Sequence, residues 1–142
     1  MVVDKVIRLP IDVYYESVEQ FNAFYKDVGG QELGKDANGY VCRIRSKETD
    51  DYRVVIFIKY DGQVSTSIPI SVIVHEVFHC VCRIRDIMYN DPLTQEVTGS
   101  NEEDWAYLLG DIACKVVHVI NSMNDTYIKK SKAKETNVLT NP

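Results

Sequence analysis

Apolar residues recur at helical intervals in two long stretches of the second half of the chain. Residues 71–88 contain neither Gly nor Pro, and an apolar stripe runs along one predicted helix face, made of Ile70, Val74, Val77, Val81, Ile84 and Met88. The same period returns after Ser100, in Trp105, Leu108, Leu109, Ile112, Val116, Val119 and Ile120. We therefore predict two long amphipathic helices, the second beginning near Ser100.

The first half of the chain contains β-rich runs in which apolar and polar positions alternate. Residues 2–9 predict a short strand, and Pro10 predicts that the residues after it are irregular or lie at a sheet edge. Residues 40–45 and 52–60 predict an antiparallel hairpin, and residues 63–67 predict a possible short strand. These runs indicate a small sheet.

A shorter helix is predicted between the first strand and the hairpin. Ser17 and Gln20 have the spacing of a capping box, and Gly29 is placed to end the helix. The order of elements is strand, helix, strands, helix, helix. It predicts an α+β fold in which a small, mostly antiparallel sheet packs on the first long helix, with the second, C-terminal helix behind it.

Length, composition and charge narrow the class of protein. The chain has 142 residues, of which 45% are hydrophobic, and this suits one domain, which we assign to residues 1–123. Residues 124–142 lack apolar periodicity, which predicts a frayed helix end followed by a disordered tail. This tail is basic, with Lys129, Lys130, Lys132 and Lys134.

The formal net charge of −5 argues against a nucleic-acid partner. The sequence starts without a basic flank and apolar signal segment, and no run approaches the roughly 18 apolar residues of a membrane span. We therefore expect a cytoplasmic protein with no nucleic acid and no membrane as partner. The four cysteines form no CxxC pair and are predicted to be reduced core thiols: Cys42, Cys80, Cys82 and Cys114.

The first long helix contains an HExxH pentapeptide, His75-Glu76-Val77-Phe78-His79. Residues four apart on a helix are offset by about 40° and rise roughly 6 Å, so His75 and His79 can hold one ion. Glu76 lies about 100° further round the helix, where it can accept a proton from a metal-activated water. The motif predicts a Zn2+ site with two histidine ligands and Glu76 as general base. The alternative is that two histidines and a glutamate fall together on a core helix by coincidence.

A catalytic zinc site has three protein ligands and one open position, so a further ligand is expected. The candidates are Glu102 and Glu103, at the start of the second long helix. Glu103 is favoured because it shares its predicted face with a row of small side chains, Ala106, Gly110 and Cys114. Ser100 and Glu103 also match a capping box, in which Glu103 would only bond the backbone, and Glu102 stays the alternative ligand.

HEVFH followed, 24 positions after its second histidine, by Glu103-x-x-Ala106 at a helix start resembles the gluzincin-like arrangement. In those families a glutamate in an ExxA-type segment completes the zinc site. The short spacer and small size look most like compact intracellular HExxH domains and small phage-encoded HExxH proteins. The resemblance covers about residues 68–120, and it implies a minimal zincin-like domain with His75, His79 and Glu103 as ligands and Glu76 as general base.

These features predict a zinc-dependent hydrolase, a metallopeptidase that cleaves amide bonds in a peptide or protein substrate. Residues 63–67 are the predicted edge strand on which an extended peptide would pair. The alternative is a catalytically silent, zinc-stabilised binding or regulatory protein. Tyr107 is the nearest candidate for stabilising an oxyanion, but packing is its favoured role, and His118 lies too far along its helix to join the metal.

Overall fold

The computed structural model describes residues 10–89 and 102–140. In these ranges the elements are strand β1 (Ile11–Glu16), helix α1 (Val18–Asp27), strands β2 (Gly39–Arg45) and β3 (Tyr52–Lys59), and helices α2 (Ile70–Tyr89) and α3 (Glu102–Thr140). The α+β class is confirmed. The predicted strand at residues 2–9 and the predicted cap at Ser100 lie outside the described residues.

The three strands form one mixed sheet in the order β1-β3-β2. Strand β3 pairs antiparallel with β2, as the predicted hairpin requires, and parallel with β1. The sheet is therefore mixed rather than mostly antiparallel, because the chain passes through α1 and β2 before β3 joins β1. Among the described strands, β1 follows Pro10 and lies at an edge of the sheet, which is one of the two outcomes that this proline predicts.

Strand β3 is covered on both faces of the sheet. Residues 54–58 are each 0% exposed. Val54, Ile56 and Ile58 belong to the core shared with α2 and α3, whereas Val55 and Phe57 belong to a smaller core beneath α1. A continuous apolar run is typical of a strand that is buried on both sides. The sheet therefore separates α1 from the two long helices.

Helix α1 begins and ends where the sequence predicts. The backbone N–H of Gln20 donates to the Ser17 side chain at 3.1 Å, and the Gln20 side chain accepts from the Ser17 backbone at 3.2 Å. The helix ends before Gly29, whose φ of +91° is a conformation that favours glycine. Phe21 is fully buried and stacks on Phe57 with ring centroids 4.5 Å apart, which holds α1 against the sheet.

The buried face of α2 is rotated from the predicted apolar stripe. Three stripe residues are buried as predicted: Val77, Val81 and Ile84. Ile70 and Val74 are instead 50% and 53% exposed, and Ile73 and Cys80 are fully buried. The reason is that α2 packs against β2 and β3 as well as α3, so the core occupies the sector between these neighbours. The side chain of Met88 lies outside the described part.

The predicted strand at residues 63–67 is wrong, since this segment has no strand pairing. The Gln63 N–H donates to the Asp61 carboxylate at 2.9 Å, and the Ser67 N–H donates to the Ser65 hydroxyl at 3.1 Å. Short polar side chains thus take the backbone donors that a strand would offer to a neighbour. The segment is an irregular connection that leads into α2.

Helix α3 continues to Thr140, which differs from the predicted frayed or disordered tail at residues 124–142. Asn124 is buried and donates to the Ser65 carbonyl at 2.7 Å. The Tyr127 hydroxyl donates to the Tyr15 carbonyl at 2.6 Å. The assigned domain end at residue 123 therefore cuts through contacts that join α3 to β1 and to the connection before α2. These contacts are made by one polar and one aromatic side chain, which is why apolar periodicity does not reveal them.

Candidate functional site

The two histidines of the HExxH motif lie together on the exposed side of α2. Their Nε2 atoms are 3.2 Å apart. A tetrahedral zinc ion with Zn–N distances of about 2.0–2.1 Å holds two nitrogens about 3.3 Å apart. The same separation also allows a hydrogen bond between the two rings. The pair thus fits two positions of a zinc site, and its exposure leaves access from solvent.

Glu76 lies beside the histidine pair on α2, on the side of the helix that faces the sheet. Its side chain is 6% exposed and lies over the backbone of Gly39, the first residue of β2. Burial raises the pKa of the Glu76 carboxyl, while the charges of His79 and His75 act in the opposite direction. A carboxyl group with a raised pKa, held beside two potential metal ligands, suits the transfer of a proton.

Sequence reasoning missed Gly39. Because this residue has no side chain, it leaves space for the side chain of Glu76. A Cβ at Gly39 would lie 2.7 Å from Glu76 Cγ and 2.9 Å from its Cδ and Oε1. Such distances require one of the two groups to move. The available signal was a glycine directly before a predicted strand, but nothing local in the sequence says which distant side chain approaches it.

The start of α3 carries both candidates for the third ligand, and both side chains are exposed. Within residues 10–89 and 102–140, no three His, Cys, Asp or Glu side chains lie close enough to share an ion. The structure thus brings His75 and His79 together, and it brings neither Glu102 nor Glu103 into a group with them. Glu102 is on the side that faces α2, since it lines a pocket with Phe78 and Cys82.

The row of small side chains that favoured Glu103 is exposed rather than packed against another helix. It consists of Ala106, Gly110 and Cys114. Helix α3 instead contributes larger residues to the core, namely Leu108, Ile112, Val116 and Ile120. The packing argument for Glu103 therefore does not hold, and the choice between Glu103 and Glu102 depends on measurement.

A pocket of about 250 Å³ lies between α2 and α3 beside the histidine pair. We call it the α2–α3 pocket, and its lining consists of Phe78, Val81, Cys82, Arg85, Glu102, Trp105, Ala106 and Leu109. Phe78 also contacts the ring of His79, with centroids 6.4 Å apart. Phe78 precedes His79 and Cys82 follows it by three residues on the same helix, so the pocket lies next to the histidine pair.

Apart from Cys82, the other residues considered from sequence do not line the α2–α3 pocket. Tyr107 is 71% exposed, so its favoured role in packing is wrong. His118 is exposed on α3. Cys42 and Cys80 are buried thiols whose pKa is raised by burial to about 11 and about 12, as expected for core residues. Cys82 is half-buried and Cys114 is exposed, which differs from a core position.

Comparison of the chain with protein-family models, with curated proteins and with solved structures found no match. In the described ranges, none of the helices combines the length and the hydropathy needed to cross a bilayer.

Proposed function

We propose that this protein is a zinc-dependent hydrolase that cleaves amide bonds in a peptide or protein substrate. The observation that carries the proposal is the arrangement on α2, where two imidazole nitrogens converge to 3.2 Å next to the buried carboxyl of Glu76. Exposure of both histidines supports an open catalytic site over a closed structural one, in which four protein ligands surround the metal.

In this mechanism His75 and His79 would hold zinc through their Nε2 atoms, and Glu103 or Glu102 would supply the third ligand. Zinc bound there would supply Lewis acidity, which lowers the pKa of water to about 7 and polarises a carbonyl group. Glu76 accepts the proton of the attacking water and then donates it to the leaving nitrogen. Burial against Gly39 restricts the Glu76 carboxyl to the side of α2 that faces the sheet.

Strand β2 is the segment best placed to bind an extended peptide. Among the described residues it pairs only with β3, so its other edge has backbone groups available for a further strand. Its first residue, Gly39, lies beneath Glu76. This edge replaces residues 63–67, which form no strand, as the proposed place of pairing.

The proposal is tested by metal content and by hydrolysis of a mixed peptide library. The variants are His75→Ala, His79→Ala and Glu76→Gln, with His118→Ala as the matched control, because His118 is an exposed histidine on another helix. We expect one zinc per chain in the wild type and in Glu76→Gln, and loss of zinc in the two α2 histidine variants. Turnover by Glu76→Gln should fall by roughly 10² to 10⁴.

Zinc retention without turnover in the wild type would favour a zinc-stabilised binding or regulatory protein. A wild-type chain that takes up no zinc, even when zinc is added, would overturn the proposal. Equal turnover by the wild type and Glu76→Gln would remove the role given to Glu76.

A further inference from the structure

The α2–α3 pocket adjoins the histidine pair and has a largely apolar wall. Phe78 follows Val77 on α2 and is 59% exposed, although it is among the most apolar side chains of the helix. Its ring lies edge-to-face with the ring of His79, with centroids 6.4 Å apart, and the residue also lines the pocket. On the α3 side the wall is formed by Trp105, Ala106 and Leu109. An apolar cavity next to a proposed reaction centre is a place where part of a substrate can be bound.

The size of the pocket limits what it can hold. Its volume of about 250 Å³ lies below the roughly 300–1,000 Å³ of sites for drug-sized ligands. It therefore suits one large side chain rather than a whole ligand or a helix. Glu102 and Arg85 line it with opposite charges, so they give no net preference for a charged group. Burial of an acidic side chain against the apolar wall would be unfavourable.

We propose that the α2–α3 pocket binds one bulky apolar side chain of the substrate, such as Leu or Phe, next to the bond that is cleaved. This inference rests on the proposed function, because a bond is cleaved only if the protein is a hydrolase. Phe78 places the pocket next to the histidine pair. It goes beyond that function by naming the class of peptide: chains with a large aliphatic or aromatic residue at the cleavage position.

The pocket contains its own reporter, since Trp105 is the one tryptophan of the chain. Binding can therefore be followed by tryptophan fluorescence in chelator-treated protein, where hydrolysis plays no part. The probes are blocked alanine pentapeptides whose central residue is Leu, Phe, Ala or Asp. We expect the Leu and Phe peptides to bind about tenfold or more tightly than the Ala peptide, and the Asp peptide to bind most weakly.

A pair of matched variants shows whether binding occurs in the pocket. Ala106→Leu adds a side chain to the pocket wall, whereas Ala133→Leu makes the same change at an exposed position further along α3. Leu is a strong helix former, so both variants are expected to fold, and their melting curves check this. Ala106→Leu should weaken binding of the Leu peptide about tenfold, and Ala133→Leu should leave it unchanged.

Failure of this inference can be told apart from failure of the proposed function. Equal binding of the Leu, Ala and Asp peptides, or equal binding by Ala106→Leu and the wild type, overturns the pocket assignment. Selective binding without hydrolysis in zinc-loaded protein upholds the pocket and counts against the catalytic proposal alone. Hydrolysis with no preference for Leu or Phe near the cleaved bond upholds the catalytic proposal and overturns the pocket assignment.

Discussion

At Gly39 the absence of a side chain determines how closely β2 approaches Glu76. An alanine Cβ would lie 2.7 Å from Glu76 Cγ, and Glu76 is 6% exposed, so its side chain has little space to move. We predict that Gly39→Ala lowers the free energy of unfolding by about 1–3 kcal/mol, the usual effect of overpacking. Urea denaturation measures the change.

Gly34→Ala is the matched control for Gly39→Ala, because nothing lies within 4 Å of a Cβ at Gly34. That variant should be unchanged or more stable by up to about 1 kcal/mol, since alanine restricts the unfolded chain. In a Glu76→Ala background, Gly39→Ala should lower the free energy of unfolding much less, because the clash is then removed. Equal stability of the two single glycine variants would contradict the contact.

Glu16, the last residue of β1, gives a prediction about pH. Burial raises the pKa of its carboxyl above the ordinary value of 4.5. Ionisation is therefore less favourable in the folded protein, so the wild type loses stability as pH rises through the raised pKa. Glu16→Gln removes this loss and should be more stable than the wild type at neutral pH. The difference should close as pH falls below about 4.5.

Thermal melting across a pH series measures the difference between Glu16→Gln and the wild type. Glu48→Gln is the control, because Glu48 is exposed in the turn between β2 and β3. If the stability difference between Glu16→Gln and the wild type stays constant with pH, ionisation of the Glu16 carboxyl is not its cause.

At the scale of single residues, the sequence predicts the relative placement of His75, His79 and Glu76 better than their surroundings. His75, Glu76 and His79 are related by helix geometry alone, so their relative placement follows from spacing. The contact between Glu76 and Gly39 depends on which strand packs against α2. Local spacing carries no information of that kind, and the third ligand could not be fixed for the same reason.

At the scale of elements, the C-terminal half of α3 is held by a few specific contacts. The Tyr127 ring stacks on Tyr60 with centroids 4.0 Å apart, and its hydroxyl bonds the Tyr15 carbonyl. We predict that Tyr127→Ala lowers the free energy of unfolding by about 2–4 kcal/mol, as aromatic truncations in cores do. Tyr127→Phe, which removes one hydrogen bond, should cost about 1 kcal/mol.

Tyr107→Ala provides the comparison on the same helix, because Tyr107 is 71% exposed. Its effect should stay within about 0.5 kcal/mol, as for most surface substitutions. Similar small effects at Tyr127 and Tyr107 would mean that the contacts of Tyr127 do not stabilise the folded domain. Chemical denaturation of the three variants distinguishes these results.

Element types were predicted where many residues share one pattern. Helix α2, the capped helix α1 and the β2–β3 hairpin follow from periodicity and turn residues, and the structure contains all three. The failures concern segments with few apolar residues. In residues 63–67 local side-chain hydrogen bonds replace strand pairing, and the end of α3 depends on isolated tyrosine and asparagine contacts.

At the scale of the whole molecule, a zinc ion bound as proposed would connect α2 to α3. The histidine pair alone would keep the metal on one helix, whereas Glu102 or Glu103 would join the start of α3 to it. A ligand that binds only the folded chain stabilises it by about 2.7 kcal/mol at a free concentration 100 times its Kd. We therefore predict that zinc raises the melting temperature and that chelation reverses the rise.

The start of α3 should respond directly if it supplies the third ligand. Added zinc should slow hydrogen exchange at residues 102–109 as well as around His75 and His79, because the metal then restrains both helices. Glu102→Ala and Glu103→Ala serve as controls for each other, since they are adjacent and both exposed. The variant that lacks the ligand should lose the protection in α3 and most of the rise in melting temperature, and the other should keep both. If both variants keep the full response, or if zinc protects α2 alone, the metal does not draw its third ligand from the start of α3.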